Sequence, residues 1–125
     1  MEFSHLQVQR ITDPRVHTVL ALIEANIEHP MSLDDLAKAV NLSTWRLCHL
    51  FRIQTGCAPL RYSKIIRMDQ ARKLLETTFL SVKEVMSKVG ATDESHFVRD
   101  FKTHHGLYPS ELRQQFFQRA AESNL

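Results

Sequence analysis

The chain has 125 residues, 43% of them hydrophobic and 24% charged, and carries a formal net charge of +2. That length suits one domain or two very small units around a modest core, and its longest apolar runs, such as "VLALI" at Val19–Ile23, fall far short of the roughly 20 residues that span a bilayer. The start "MEFSHLQVQR" lacks a basic stretch followed by an apolar one, so no secretory signal is read and a cytoplasmic protein is expected, with Cys48 and Cys57 kept as thiols.

Thr12-Asp13-Pro14 supplies a cap and a proline at the first helical position. Val16, Val19, Leu20, Ile23 and Ile27 follow at helical spacing, which predicts a first helix ending near His29-Pro30. Ser32 caps the next, "LDDLAKAV", with Asp34 and Asp35 where the helix dipole favours acids and Asp35 at the capping-box position. After Asn41 the chain turns, Ser43 caps "TWRLCHLFRIQT", and Gly56 stops that helix. Pro59 opens a long connector, "PLRYSKIIRMDQARKLLETT", whose predicted apolar stripe is Tyr62, Ile66, Ala71, Leu74 and Leu75. A similar unit then begins at Ser81 with "VKEVMSKV", turns at Gly90, restarts from a cap at Thr92 and stops at Gly106. Pro109 begins a last helix, "PSELRQQFFQRAAE". The expectation is an all-α protein of about seven helices with no strand.

The two units align. Ser32 falls on Ser81, Leu36 on Val85, Ala37 on Met86, Val40 on Val89 and Ser43 on Thr92; after one inserted residue, Leu47 falls on Phe97, Phe51 on Phe101, Gly56 on Gly106 and Pro59 on Pro109. Helix, tight turn, polar-fronted helix, glycine stop and proline restart thus occur twice, which is the helix-turn-helix pattern in duplicate. Two helix-turn-helix subdomains are expected, over residues 12–58 and 79–120, with the connector at 59–78. In such a unit the back of the second helix is buried, here by Leu47, Leu50 and Phe51 or by Phe97 and Phe101. Its N-terminal outer face stays free to enter a major groove. That face offers Trp45, Arg46, Cys48 and His49 in the first copy and Glu94, Ser95, His96 and Arg99 in the second. Charge agrees with a polyanionic partner: between Ser43 and Lys73, Arg46, Arg52, Arg61, Lys64, Arg67, Arg72 and Lys73 stand against Asp69 alone, while both flanks are slightly acidic.

Over roughly Asp13 to Arg113 the sequence resembles the AraC/XylS class of bacterial transcription activators, most specifically in "SLDDLAKAVNLS", "RMDQARKLLETT" and "SHFVRDFK" followed by "GLYPSELR". The resemblance implies double-stranded DNA as partner, bound at successive major-groove segments by two recognition helices. It also implies a monomer of the short stand-alone type or a domain of a longer regulator, with RNA polymerase as the further partner an activator would meet. By position in the family pattern, Trp45, Cys48 and His49 would meet bases in one groove, and Glu94, Ser95, His96, Val98 and Arg99 in the other. Arg46, Arg52, Arg61, Lys64 and Lys102 would contact phosphate, together with the helix N-termini at Ser43 and Thr92.

Alternatives stand beside these roles: Trp45 as a core aromatic, Glu94 as a dipole-stabilising acid, Arg67 and Arg72 in structural salt bridges. Three positions depart from the family pattern. Ala91 and Leu112 stand where aromatics are usual, and Asp100 either weakens phosphate approach or faces solvent. No metal or cofactor is expected, because Cys48-His49 and His104-His105 should point in divergent helical directions. Neither a nucleophile elbow nor a phosphate-cradling glycine loop nor a catalytic carboxylate pair is present, so a binding protein is favoured over an enzyme. The competing class is a helical protein-interaction adaptor or a histidine-phosphotransfer bundle.

Overall fold

The computed structural model describes residues 11–123, and among these there are seven helices and no strand. They are α1 (Pro14–Ala25), α2 (Leu33–Ala39), α3 (Thr44–Thr55), α4 (Pro59–Thr77), α5 (Val82–Lys88), α6 (Glu94–His105) and α7 (Pro109–Ser123). The chain forms two compact units that divide between Lys64 and Ile65, inside α4 rather than at either end of it.

In the first unit, the Asp13 side chain accepts from the Arg15 N–H at 2.9 Å and Pro14 takes the position where a missing N–H costs nothing. α1 stops four residues earlier than its apolar spacing suggested. Asn26 donates its backbone N–H to Ile23 and its side-chain amide to Leu22 O at 2.8 Å, closing the helix and leaving Ile27 half-buried outside it. Val16, Val19, Leu20 and Ile23 of α1, Leu36 and Ala37 of α2, and Leu47 and Phe51 of α3 make the core. Tyr62 meets Phe51 edge-on, with centroids 5.8 Å apart. Burial, and then the Glu24 carboxylate, pushes the Tyr62 hydroxyl up to about 12. Leu50, expected in the inner stripe, is only half-buried.

The turn between α2 and α3 rests on Asn41, the one non-glycine residue with positive φ (57°) among the described residues. Its left-handed conformation lets the Leu42 N–H reach back to Ala37 O at 3.0 Å and its own N–H to Lys38 O at 3.1 Å. Gly90, with φ 71°, does the same in the second unit, where the Ala91 N–H bonds Met86 O at 2.9 Å. From there the copies diverge. The cap of α6 is Asp93, not Thr92: the Asp93 carboxylate accepts from the His96 N–H at 2.9 Å. The inserted residue of the second copy therefore lies in the turn, and Asp93 corresponds to Ser43. The capping box also differs from expectation. Ser32 accepts from the Asp35 N–H at 3.1 Å, but the reciprocal pair forms at Ser81 and Glu84, whose longer side chain reaches back to the Ser81 N–H at 2.8 Å.

The second unit packs Val85, Met86 and Val89 against Phe97, Phe101 and Leu112, with Met68, Ala71 and Leu75 contributed by α4. On α4 the buried stripe is Tyr62, Ile65, Met68, Ala71 and Leu75. Ile66 and Leu74 are half-buried instead, because the buried stripe advances by threes from Tyr62 to Ala71 and then by four to Leu75, leaving each one residue to the side of it. Leu112, almost fully buried, fills its place in this core with an aliphatic side chain. Beside it Arg113 is also buried. Its guanidinium donates to Leu75 O at 3.3 Å and to the carbonyls of Thr78 and Leu80, groups left without helical partners where α4 ends. Phe116 and Phe117 lie against that guanidinium, 5.4 and 5.5 Å from their ring centroids.

His104 and His105 do not diverge. Both turn toward α4, with ring centroids 4.5 Å apart, and their Nε2 atoms approach Asp69 Oδ1 at 2.9 and 3.7 Å. The last turn of a helix lets neighbouring side chains converge on one contact when each ring rotates about its own χ angles.

Candidate nucleic-acid interface

α3 and α6 are the second helices of the two helix-turn-helix units, and each presents its outer face as an open groove. On α3, a groove of about 420 Å³ is lined by Trp45, Arg46 and His49, together with Arg15, Leu42, Leu50 and Ile53. Trp45 is 67% exposed, which excludes its reading as a core aromatic. Its ring stacks on His49, one helical turn on, at 4.5 Å between centroids and 18° between planes. Two flat side chains are thereby held as one surface. Cys48 is half-buried and lies outside that lining. Ser43 caps α3 by accepting from the Arg46 N–H at 3.2 Å. Arg46, Arg52, Arg61 and Lys64 lie on the surface, and all four are exposed.

On α6 the groove is larger, about 550 Å³, and brings together four of the five expected base-reading residues: Glu94, Ser95, Val98 and Arg99. Lys102, Thr103 and Tyr108 complete it. His96, the fifth, is exposed but leans the other way, its Nδ1 3.4 Å from Asp93 Oδ2. Lys102 donates to Gly106 O at 3.0 Å and sits 4.9 Å over the Tyr108 ring, so its stem is fixed while the ammonium keeps further N–H groups to offer.

The entrances of the two grooves differ in charge. No acid occurs in the first turn of α3, whereas α6 starts with Asp93 as cap and Glu94 after it. The His96 N–H holds the Asp93 carboxyl below its ordinary range, so that carboxylate stays ionised at the helix N-terminus. Thr92 is exposed one residue before the cap. The free N–H groups that a Thr92 cap would have shared with a phosphate sit instead beside two carboxylates.

Of the connector arginines, Arg72 is paired within the protein. Arg72 Nε bonds Glu76 Oε2 at 3.0 Å. Arg67 is half-buried; burial pushes its guanidinium down, and the Asp100 carboxylate opposes that shift. Asp100 is itself half-buried, and its charge is felt by Arg67 on α4.

Sequence reasoning missed Arg15, Ile53, Thr103 and Tyr108. Arg15 stands next to the α1 cap, to which its guanidinium is paired at 2.9 Å, and local pattern alone reads it as part of a helix start. Tyr108 carried a usable signal: the repeat sets it against Ala58, an aromatic against a methyl just before the proline restart.

A family profile described as a helix-turn-helix domain matches residues 36–115. The helix-turn-helix transcriptional regulator GbdR of Pseudomonas aeruginosa is 39% identical over 101 residues, which cover 81% of this chain and 28% of GbdR. This chain thus spans little more than a quarter of that relative's length. A transcriptional regulator of Chromobacterium violaceum with an AraC-type DNA-binding domain shares the fold at TM-score 0.76 and 34% identity, covering 82% of this chain and 92% of the other. The DNA-binding domain of the global transcriptional factor AdpA, in complex with a target DNA, matches at TM-score 0.79 and 29% identity, over 86% and 96% of the two chains.

Proposed function

This chain belongs to the helix-turn-helix family of AraC-type DNA-binding domains, and we propose that it is a sequence-specific, DNA-binding regulator of transcription that acts as an activator. The observation that carries the reading is the pair of recognition helices, each with a buried back and an open groove of hydrogen-bonding side chains on its outer face. AdpA, solved on DNA with a domain of this fold, supports it. The activity is binding, not catalysis. The chain works as a monomer in the cytoplasm, and RNA polymerase is the partner through which activation is delivered. No helix among the described residues is long and apolar enough to cross a membrane.

Roles follow from chemistry. Arg99 bonds guanine O6 and N7, Glu94 accepts from a cytosine amino group, and Ser95 and His96 take the adjoining edges, with Val98 in apolar contact. In the other groove the Trp45–His49 stack packs on a thymine methyl, with Cys48 as the neighbouring base-contacting candidate. Arg46, Arg52, Arg61, Lys64 and Lys102 hold phosphates and fix the register, as does the α3 N-terminus at Ser43. The α6 N-terminus at Thr92 contributes less, because Asp93 and Glu94 stand there.

Selection from random duplexes tests the reading, and should recover two boxes, one for each unit. A single short box would overturn the use of both grooves. Affinity should fall steeply between two salt concentrations; binding indifferent to DNA and salt would point instead to a helical adaptor or phosphotransfer bundle. A reporter carrying the recovered site upstream of a weak promoter should rise in expression, and a fall would make the protein a repressor.

A further inference from the structure

At the C-terminal end of α6, remote in sequence from its base-reading first turns, three metal-competent side chains converge within the second unit. His104 Nε2 and His105 Nε2 lie 2.9 and 3.7 Å from Asp69 Oδ1, and the three ligand atoms all fall within 4.8 Å of one another. None of the three lines either groove. We propose that Asp69, His104 and His105 form a binding site for a divalent transition-metal ion of the zinc class, which clamps the last turn of α6 onto α4.

The donor set is the first argument. Two imidazoles and one carboxylate are what zinc takes in sites with three protein ligands, where water fills the open fourth position. With metal–ligand bonds of about 2.0–2.1 Å, tetrahedral ligand atoms stand about 3.3 Å apart. The observed 2.9 and 3.7 Å from Asp69 to the two imidazoles bracket that separation, and the remaining pair lies within 4.8 Å.

Environment is the second. The histidine side chains are 20% and 9% exposed and therefore held by their surroundings, while Asp69, at 51%, leaves a path for the ion and room for its water. Two features oppose the ion. His105 Nε2 lies 2.9 Å from Met68 O, so a bound metal replaces the proton of that hydrogen bond. The Arg72 guanidinium also acts on His105, but its charge is offset by Glu76 at 3.0 Å.

Without metal, the same trio is a hydrogen-bonded latch between helices, and the test separates the two. Metal-free full chain, with no DNA present, is titrated with Co2+ and then with Zn2+. One equivalent of Co2+ should bind with the visible absorption of a low-coordinate nitrogen and oxygen site, Zn2+ should displace it, and Zn2+ should raise the melting temperature. His104→Ala and Asp69→Asn should weaken binding by at least about tenfold and abolish the thermal shift. Circular dichroism of each variant checks that its helices remain. His29→Ala, which removes an imidazole with a 91% exposed side chain in the other unit, should change nothing. Absence of saturable one-equivalent binding in the unaltered chain overturns the proposal, as does binding retained in both variants or lost equally in His29→Ala. Because no DNA is used, the outcome is independent of the assigned regulatory role.

Discussion

α3 and α6 are twelve residues each, both stopped by a left-handed glycine, with φ 89° at Gly56 and 83° at Gly106, yet they begin in opposite electrostatic settings. Ser43 caps the first with a neutral hydroxyl, followed by Trp45 and Arg46; Asp93 caps the second with a carboxylate, followed by Glu94. Serine and aspartate serve almost equally well as N-caps, so the choice costs the fold little. What differs is what each helix end attracts. In the assignment proposed above, the α3 end would draw a phosphate by its dipole and its arginine, whereas the α6 end would hold phosphate off and leave discrimination to Arg99, Ser95 and Glu94 deeper along the groove. In that assignment one frame serves both helices, and surface charge would divide the labour between anchoring and reading.

A second contrast lies in how the units close. Arg113 ties α7 to the carbonyls after α4 in the second unit, while the corresponding repeat position in the first is Ser63. The largest effect is therefore expected from Arg113→Ala. Removing it leaves three carbonyl groups without that donor, and the loss should be about 2–3 kcal/mol or more in urea unfolding. Hydrogen exchange should show protection lost in α5 to α7 and retained in α1 to α3. Equal loss in both would mean that the units unfold together and would break the comparison.

Next in size is the reading itself. Arg99→Ala should cost about 1–3 kcal/mol on the preferred site and relax the sequence preference of one box only. Arg61→Ala should weaken binding to every sequence and lower the salt slope by about 1. If both substitutions act alike on all sequences, the division into readers and anchors fails.

Much of this organisation is legible in the order of residues alone. Caps, glycine stops and proline restarts are local chemistry, and Ser32, Ser43, Ser81, Gly56, Gly106, Pro59 and Pro109 all act where their spacing puts them. Local chemistry fails where two residues compete for one role. Thr92 and Asp93 are both good caps, and only the turn geometry set by Gly90 decides for Asp93. Phase on α4 is ambiguous because Ile65 and Ile66 offer the same side chain to two faces, and contacts made far along the chain select between them. The grooves are half-legible. Residues on α3 and α6 follow from helical phase, but Arg15 and Tyr108 arrive from other segments, and the pairing of His104 with Asp69 spans more than thirty residues.

The smallest effect is the most specific, because it exchanges the one feature that separates the two helix starts. Asp93→Ser keeps a competent cap and removes a negative charge, so affinity for all duplexes should rise by a few-fold at low salt. Ser43→Asp should lower it by a similar amount, and both changes should fade as salt screens them. Stability responds to acid in the same direction. The His96 N–H holds the Asp93 pKa below its ordinary value in the folded chain, so its cap contributes fully above the unfolded pKa and is lost as pH falls through the depressed folded-state pKa. Asp93→Ser should lack that acid-dependent loss in α6, followed by amide exchange of His96. If cap exchange moves stability but leaves affinity and salt slope unchanged in both units, the carboxylate serves only the helix, and the difference between anchor and reader lies elsewhere along the grooves.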